Sequence, residues 1–381
     1  YFLDIRDLAL GRNENENKFV KGLMQSEMSI SPVTEDIVSL GASAAAQILD
    51  EEDKKNIDMV IVGTESGVDQ SKASAVFIHH LLNIQPFARC IEIKEACYGA
   101  TAALSFAKNY IEKNNDASVL VIASDIARYG IDTPGESTQG AGSVAMLIKK
   151  DPAIAVINDE NVCQTRDIMD FWRPNYSDFP YVDGHFSTKQ YLDCLTTTFE
   201  EYKKRYSQSL DDFDAFCFHL PFPKLGLKAI NSILEKNIEK EIKNDFLEKF
   251  HTSIIYGKRV GNIYTGSLYL SLLSLLENCE NLNGGDKIGM YSYGSGAVCE
   301  FFNLTLAEGF KNHLRCDRLN DFENRKQLSM EEYENMFFEK IVLDEEGNCD
   351  FSNNKFIQES DNSFVLAKIE NHKRVYKKLN E

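Results

Sequence analysis

Basic side chains are scarce. The 381-residue chain carries 41 Lys and Arg against 59 Asp and Glu, a formal charge of −18 at pH 7. Binding a nucleic-acid backbone needs a cationic surface, so that class is excluded. A phosphorylated small ligand stays open, because it needs only a local patch. No run reaches the apolar length of a membrane span, and no signal peptide is visible. The nine cysteines, at 90, 97, 163, 194, 217, 279, 299, 316 and 349, form no CxxC pair, and their number is odd. That excludes a disulfide scaffold and a zinc module, and points to a reduced, cytoplasmic protein. A starting Met is also missing: the chain opens at Tyr1, as a fragment lacking its true beginning does.

What is present is a length sufficient for two core-bearing units and an ordinary enzyme composition, 43% hydrophobic and 26% charged. Strands and helices alternate in the first half. "IDMVIVGTES" reads as a buried strand with a polar tip, "SKASAVFIHHLLNI" as a helix, "CIEI" as a half-buried strand and "ATAALSFAKNYI" as a helix. "SVLVIASDIARYG" and "GAGSVAMLIKK" follow as strands. This is an α/β pattern with a layered sheet. The second half repeats the parts in order. "FDAFCFHLPFP" matches "IDMVIVGTES", "GNIYTGSLYLSLLSLLE" matches "CYGATAALSFAKNYIE", and "GSGAVCEFF" matches "GAGSVAMLI". The register is loose, but order and character agree, so an internal duplication is expected. Residues 151–210 include the aromatic "RDIMDFWRPNYSDFPYVDGHFS" and are expected to be an inserted covering segment. "GRNENENK" is expected as a surface loop, and "NHKRVYKKLNE" as a solvated terminus.

The duplication puts four reactive side chains at matching places. Cys97 sits where a strand gives way to a Gly/Ala-rich helix, whose N-terminus favours a thiolate. Small Ala96, Gly99 and Ala100 would let a ligand approach its backbone. Glu65 and His219 stand at equivalent strand tips, and Asn262 stands where Cys97 does in the other copy. A thiolate can take an acyl group from a thioester, and a carboxylate whose basicity burial has raised can remove its α-proton. An imidazole can protonate an acceptor carbonyl, and backbone N–H groups in "YGSGA" can hold an oxyanion. Together they describe a Claisen-type condensation. Taken singly, each has a plainer reading: a small buried thiol, a helix-capping Glu65, a core histidine, and an asparagine serving a turn or N-cap. His79, His80 and His185 have no partner pattern and are read as structural or undecided.

The stretches "IVGTESGVDQSKA", "IQPFARCIEIKEACYGATAAL", "DFWRP", "FHLPFPK", "RVGNIYTGSLYLSLLSLLE" and "YSYGSGAVCEFF" resemble the bacterial-type 3-hydroxy-3-methylglutaryl-CoA synthases of the mevalonate pathway, in the thiolase superfamily. They span nearly the whole chain. The resemblance implies a five-layered αβαβα fold of two pseudo-duplicated halves, residues 1–152 and 153–381, in a homodimer with no metal or redox cofactor. It implies that Cys97 takes the acetyl group of acetyl-CoA and that Glu65 deprotonates its methyl. The carbanion equivalent attacks acetoacetyl-CoA, whose ketone oxygen His219 protonates, and water then frees the product. Asn262 holds the acetoacetyl group, Asp125, Tyr129 and Asp183 support the pocket, and Ser295 lies near the acyl chain. Lys224 and Lys228 are candidates for CoA phosphate contacts, or else two solvated lysines on a helix.

In one respect the chain departs from that family. Its members begin with a strand before the position of Tyr1, and lacking it an edge strand of the first-half sheet is expected to be uncovered. Three rivals stand beside this reading. A carrier-protein-dependent synthase for polyketide β-branching has the same catalytic residues. A decarboxylating ketoacyl synthase does not need a Glu where Glu65 stands. A non-catalytic dimeric scaffold has no use for all four reactive candidates.

Overall fold

In the strand Ile57–Gly63 (β1) every residue except Asp58 is buried, and a strand apolar on both faces needs a layer on each side. The computed structural model, which describes residues 1–234, 238–358 and 364–379, supplies both layers. β1 pairs in parallel with Arg89–Ile93 (β2) and with Ser118–Ala127 (β3), which pairs antiparallel with Gly140–Ile148 (β4). The sheet order is therefore β2-β1-β3-β4. Helices Ile37–Ala46 (α1) and Ser74–Leu81 (α2) cover one face through Val38, Ala42 and Ile78 against Val60, Val62 and Ile122. Helix Gly99–Lys113 (α3) covers the other through Ala103, Leu104 and Ala107 against Ile61 and Val121.

A second sheet repeats the plan. Ala155–Thr165 (β5), Ala215–Phe218 (β6), Lys287–Gly294 (β7) and Val298–Leu306 (β8) are ordered β6-β7-β8-β5. The trio β6-β7-β8 has the same parallel and antiparallel pairing as β1-β3-β4. Helix Ser267–Asn278 (α7) lies beside α3 between the two sheets, where Leu268, Leu275 and Leu276 join the cluster of Ala103 and Ala107. The outer face of the second sheet is closed by Gly184–Tyr206 (α4), Pro223–Ile233 (α5) and Lys240–Ser253 (α6), through Phe199, Ile230 and Phe250 against Phe216 and Phe301. The result is five layers, αβαβα, as expected.

Several expectations need correcting. Most of residues 151–210 is not an insertion: β5 and α4 are members of the second sheet and its outer layer. β5 is an edge strand with a single fully buried residue, Val162, so it lacks the apolar alternation that marks a strand. The stretch between β5 and α4, residues 166–183, holds only the short antiparallel pair Phe171–Trp172 and Tyr181–Val182. The basic C-terminal stretch is likewise ordered. Lys373–Lys378 pairs with Phe364–Glu370, and Arg374 and the Tyr376 hydroxyl both bond Asp36. Residues 380 and 381 lie outside the described residues. β2 and β4 are the two edges of the first sheet, and β4 is half-buried from Ala141 to Ile148. A cleft of about 800 Å³ runs beside it, lined by Ile148, Lys149, Ala155 and Asp159 among others. Its counterpart β8 is covered by β5.

Candidate active site

Close packing brings the first two reactive side chains together. A Cβ built on Gly63 would lie 2.5 Å from the Ala100 nitrogen, and one on Gly99 2.8 Å from the Ile93 carbonyl oxygen. Small residues here let the end of β1 touch the start of α3. Cys97, two residues before α3, then donates from Sγ to Glu65 Oε1 at 3.4 Å. Ala96, just before it, is held at φ +41°, a left-handed conformation that costs energy for a residue with a Cβ.

Asp125, fully buried at the end of β3, anchors this pair. Its Oδ1 accepts from the Thr64 hydroxyl at 2.8 Å and the Glu65 N–H at 2.9 Å. Its Oδ2 accepts from the Thr265 N–H at 3.1 Å and hydroxyl at 2.7 Å. Thr265 belongs to the turn leading into α7, so one carboxylate ties the Glu65 loop to the second sheet's central helix. Asn262 starts that turn. Its Nδ2 donates to the Tyr129 hydroxyl at 2.7 Å, and its Oδ1 accepts from Tyr264 N–H and the Ser267 hydroxyl, both at 2.9 Å. Tyr129, Tyr264 and Phe171 pack edge-to-face or tilted, with centroids 5.9–6.0 Å apart, and share an apolar cluster with Cys97 and Ala127.

The electrostatics follow from this burial. Glu65 is pushed up to about 8, first by desolvation and then by the charge of Asp125. Asp125 is raised to about 6 by its own burial, against the pull of Thr265 and Thr64. The Cys97 thiol is pushed well above its ordinary value by burial and by the two carboxylates. The thiolate expected from the helix N-terminus is therefore not the resting form, because desolvation and two nearby acids outweigh a helix dipole. His219 directly follows β6 and is 2% exposed. Its N–H donates to the Tyr291 carbonyl and its carbonyl accepts from Tyr191. Its Nδ1 has no partner among the described residues, and burial lowers the ring to about 3. The imidazole is thus neutral, with a nitrogen left for something other than protein.

Two family models match consecutive parts of the sequence. Hydroxymethylglutaryl-coenzyme A synthase N terminal matches residues 2–153, and Hydroxymethylglutaryl-coenzyme A synthase C terminal matches residues 156–247 and 226–379. The chain belongs to the hydroxymethylglutaryl-CoA synthase family. It is 49% identical over 345 residues to the hydroxymethylglutaryl-CoA synthase of Enterococcus faecalis, across 90% of each chain. It is 33% identical over 358 residues to a polyketide biosynthesis 3-hydroxy-3-methylglutaryl-ACP synthase, PksG, of Bacillus subtilis, across 88% of this chain and 84% of that one. A crystal structure of an HMG-CoA synthase complexed with CoA superposes with a TM-score of 0.97 at 57% identity, covering 100% of this chain and 96% of that one.

The remaining family candidates fall in different places. Ser295 lies in the turn from β7 to β8, which presses on the Cys97 loop: a Cβ on Gly294 would lie 2.6 Å from the Glu95 carbonyl oxygen and 2.7 Å from Tyr98 Cβ. Of the "YGSGA" amides, that of Gly296 is already bonded to Asp170 Oδ1 at 3.0 Å. Asp183 is exposed and caps α4, its Oδ1 accepting from the Phe186 N–H at 3.0 Å. Lys224 opens α5, its N–H bonded to the Leu23 carbonyl at 3.0 Å. Lys228 lies one turn on and is exposed.

Three residues escaped the sequence reading as individuals. Arg173, in "DFWRP", bonds the Glu65 carbonyl and works against the rise in its basicity. Buried Asp170 collects the Tyr293 hydroxyl at 2.8 Å, the Ser187 hydroxyl at 3.1 Å and Gly296. Thr265 bridges to Asp125. The aromatic, proline-bearing stretch around residues 170–174 was the only signal for the first two.

Proposed function

We propose that Cys97, Glu65 and His219 carry out the family's condensation on free CoA thioesters. The chain joins acetyl-CoA, acetoacetyl-CoA and water into 3-hydroxy-3-methylglutaryl-CoA and CoA, the acyl-transfer step of mevalonate-type isoprenoid synthesis. The Cys97 Sγ–Glu65 Oε1 contact is the observation that carries this reading. As Sγ attacks the acetyl carbonyl, its proton passes to Glu65 and on to the departing CoA sulfur. Glu65, a carboxylate again, then takes a proton from the methyl of the acetyl group. A base with a pKa near the working pH suits this task. The enolate attacks the ketone carbon of acetoacetyl-CoA, and the new alkoxide receives a proton from neutral His219, which regains one from solvent while Glu65 returns the methyl's proton to solvent. Water hydrolyses the thioester, restoring the Cys97 thiol. The Tyr129, Tyr264 and Phe171 walls keep the enolate step dry, Asn262 and Tyr129 hold the acceptor, and Asp125 fixes the Glu65 loop.

Lys224 and Lys228 suit the CoA phosphates, since neither pairs with an acid among the described residues. All nine cysteines are free, in keeping with a reducing cytoplasm. No helix among the described residues is long and apolar enough to cross a membrane. The homodimer expected of the family has an available edge strand in β2. The greater likeness to the Enterococcus faecalis enzyme than to PksG favours a CoA-bound over a carrier-bound acceptor.

Product analysis by mass spectrometry with both CoA thioesters, together with mapping of the acetyl adduct, tests the reading. It requires the adduct on Cys97, its loss in Cys97→Ser, and hydroxymethylglutaryl-CoA as product. An adduct on another cysteine refutes the nucleophile, and an acetylated Cys97 without that product points to the carrier-bound acceptor.

A further inference from the structure

The Tyr129–Asn262 hydrogen bond is gripped from both ends by one short turn. Glu136–Thr138 form a single 3-10 turn, capped by Gln139, that leads into β4. The carbonyl of Thr138 accepts from the Asn262 N–H at 3.0 Å. The Gln139 side chain, 3% exposed, accepts through Oε1 from the Tyr129 N–H at 2.7 Å and the Gly130 N–H at 3.3 Å. The backbone runs so close that a Cβ on Gly261 would lie 2.0 Å from the Gln139 carbonyl oxygen. The two side chains read as holding the acceptor therefore share a single support.

That support is fixed from outside the five layers. Gln139 Nε2 donates to the Tyr333 hydroxyl at 2.8 Å, and Tyr333, fully buried, donates to Glu136 Oε1 at 3.1 Å. Glu136, 3% exposed, is held bidentately by Arg12 at 2.8 and 3.0 Å and accepts from the Asp132 N–H at 2.9 Å. Arg12 follows the helix Ile5–Gly11 and Tyr333 lies in the helix Met330–Phe338; the two helices form one apolar cluster. A buried amide with both ends satisfied has one orientation, because turning it over would set donor against donor.

We propose that Gln139 is a positioning residue for the condensation half of the reaction, setting Tyr129 against Asn262 while leaving acetylation of Cys97 untouched. This rests on the reading of Tyr129 and Asn262 as the acceptor's holders. The chemistry it serves is recognition of a β-ketoacyl group, whose carbonyl oxygens need fixed donors.

The test separates the two half-reactions. Acetylation is followed as adduct mass with acetyl-CoA alone, and condensation with acetoacetyl-CoA varied. Gln139→Ala raises KM for acetoacetyl-CoA about tenfold, the effect of one lost buried hydrogen bond, with acetylation within about twofold of wild type. In a Tyr129→Phe background the same substitution adds less than about twofold, since both act through one contact. Tyr333→Phe keeps the ring and its packing, shifts KM the same way by a smaller factor, and decides the matter if Gln139→Ala does not fold. Equal slowing of both half-reactions, additive effects with Tyr129→Phe, or an unchanged KM in Tyr333→Phe overturns the proposal. A wild-type chain that acetylates Cys97 but makes no product with acetoacetyl-CoA overturns the acceptor reading beneath it, and shows this before any variant is compared.

Discussion

Glu65 is unusual at the scale of single residues because one carboxyl both restrains Cys97 and is the base in the proposed mechanism. Its charge is one reason the thiol is raised. Glu65→Ala therefore eases ionisation of Cys97 while removing the base. The expected outcome is an acetyl adduct that still forms and a condensation rate down by about 10³-fold, within the usual range for a lost general base; single-turnover assays check both. A variant that still condenses at close to the wild-type rate refutes the role of Glu65 as base. The raised basicity has a second consequence. A carboxyl that holds its proton more tightly when folded loses stability as pH rises from its unfolded value, about 4.3, through about 8. Glu65→Gln removes that loss. It should match wild type near pH 4 and exceed it by about 2 kcal/mol above pH 8, a figure set below the full shift because Glu65 is only half-buried. Urea unfolding at the two pH values measures it. Condensation should climb through the same range as the base ionises. Cys97, Glu65 and Asn262 were legible because strand tips and helix starts announce themselves in apolar patterning. Gln139 and Arg173 were not: each lies in irregular chain, where only the packed partner gives the side chain a direction.

Helix α4 shows how an element can account for a residue that resembles a site. Asp183 in "VDG" matches a pocket-supporting position by resemblance, yet its side chain accepts from the Phe186 N–H, and its own N–H bonds the Asp170 carbonyl at 3.1 Å. An N-cap is replaceable by chemistry, not only by identity. Asp183→Ala should cost about 1 kcal/mol of stability, and Asp183→Asn should restore both stability and kcat/KM. If Asn restores stability while kcat/KM stays low, the carboxylate has a role at the acceptor beyond capping. The strands of both sheets were legible wherever they are buried. β5 was missed because an edge strand with one fully buried position shows no apolar alternation, and α4 because its 23 residues bury only six. The part Thr265 plays in its turn was invisible for another reason. Its hydroxyl lies 3.0 Å from the Gly63 carbonyl and 2.7 Å from Asp125, but one hydroxyl has one proton. Only the charge of Asp125, a matter of tertiary placement, decides which acceptor receives it.

Across the whole molecule, the central layer belongs to neither sheet alone. α3 and α7 bury their apolar faces on each other as well as on the sheets, and Thr101 bonds both the Tyr269 hydroxyl and the Ser292 hydroxyl at 2.7 Å. The duplication read from sequence says that each half can form a sheet, but not that either can stand by itself. We propose that residues 1–152 and 153–381 are halves in pattern and one unit in stability. Separated, the first half exposes Ala103, Leu104, Leu268's docking surface and the buried Asp125, whose partner Thr265 lies in the other half. A buried carboxylate left with half its donors costs several kcal/mol, and the lost apolar contact adds to that. Residues 1–152 alone should therefore show no cooperative thermal transition by circular dichroism, while the intact chain shows a single one. Mixing the two pieces should recover cooperativity only when both are present. A sharp, independent transition in the first piece would mean that each sheet with its outer helices suffices, and that the shared layer serves only to bring Cys97 and Glu65 to Asn262 and Tyr129.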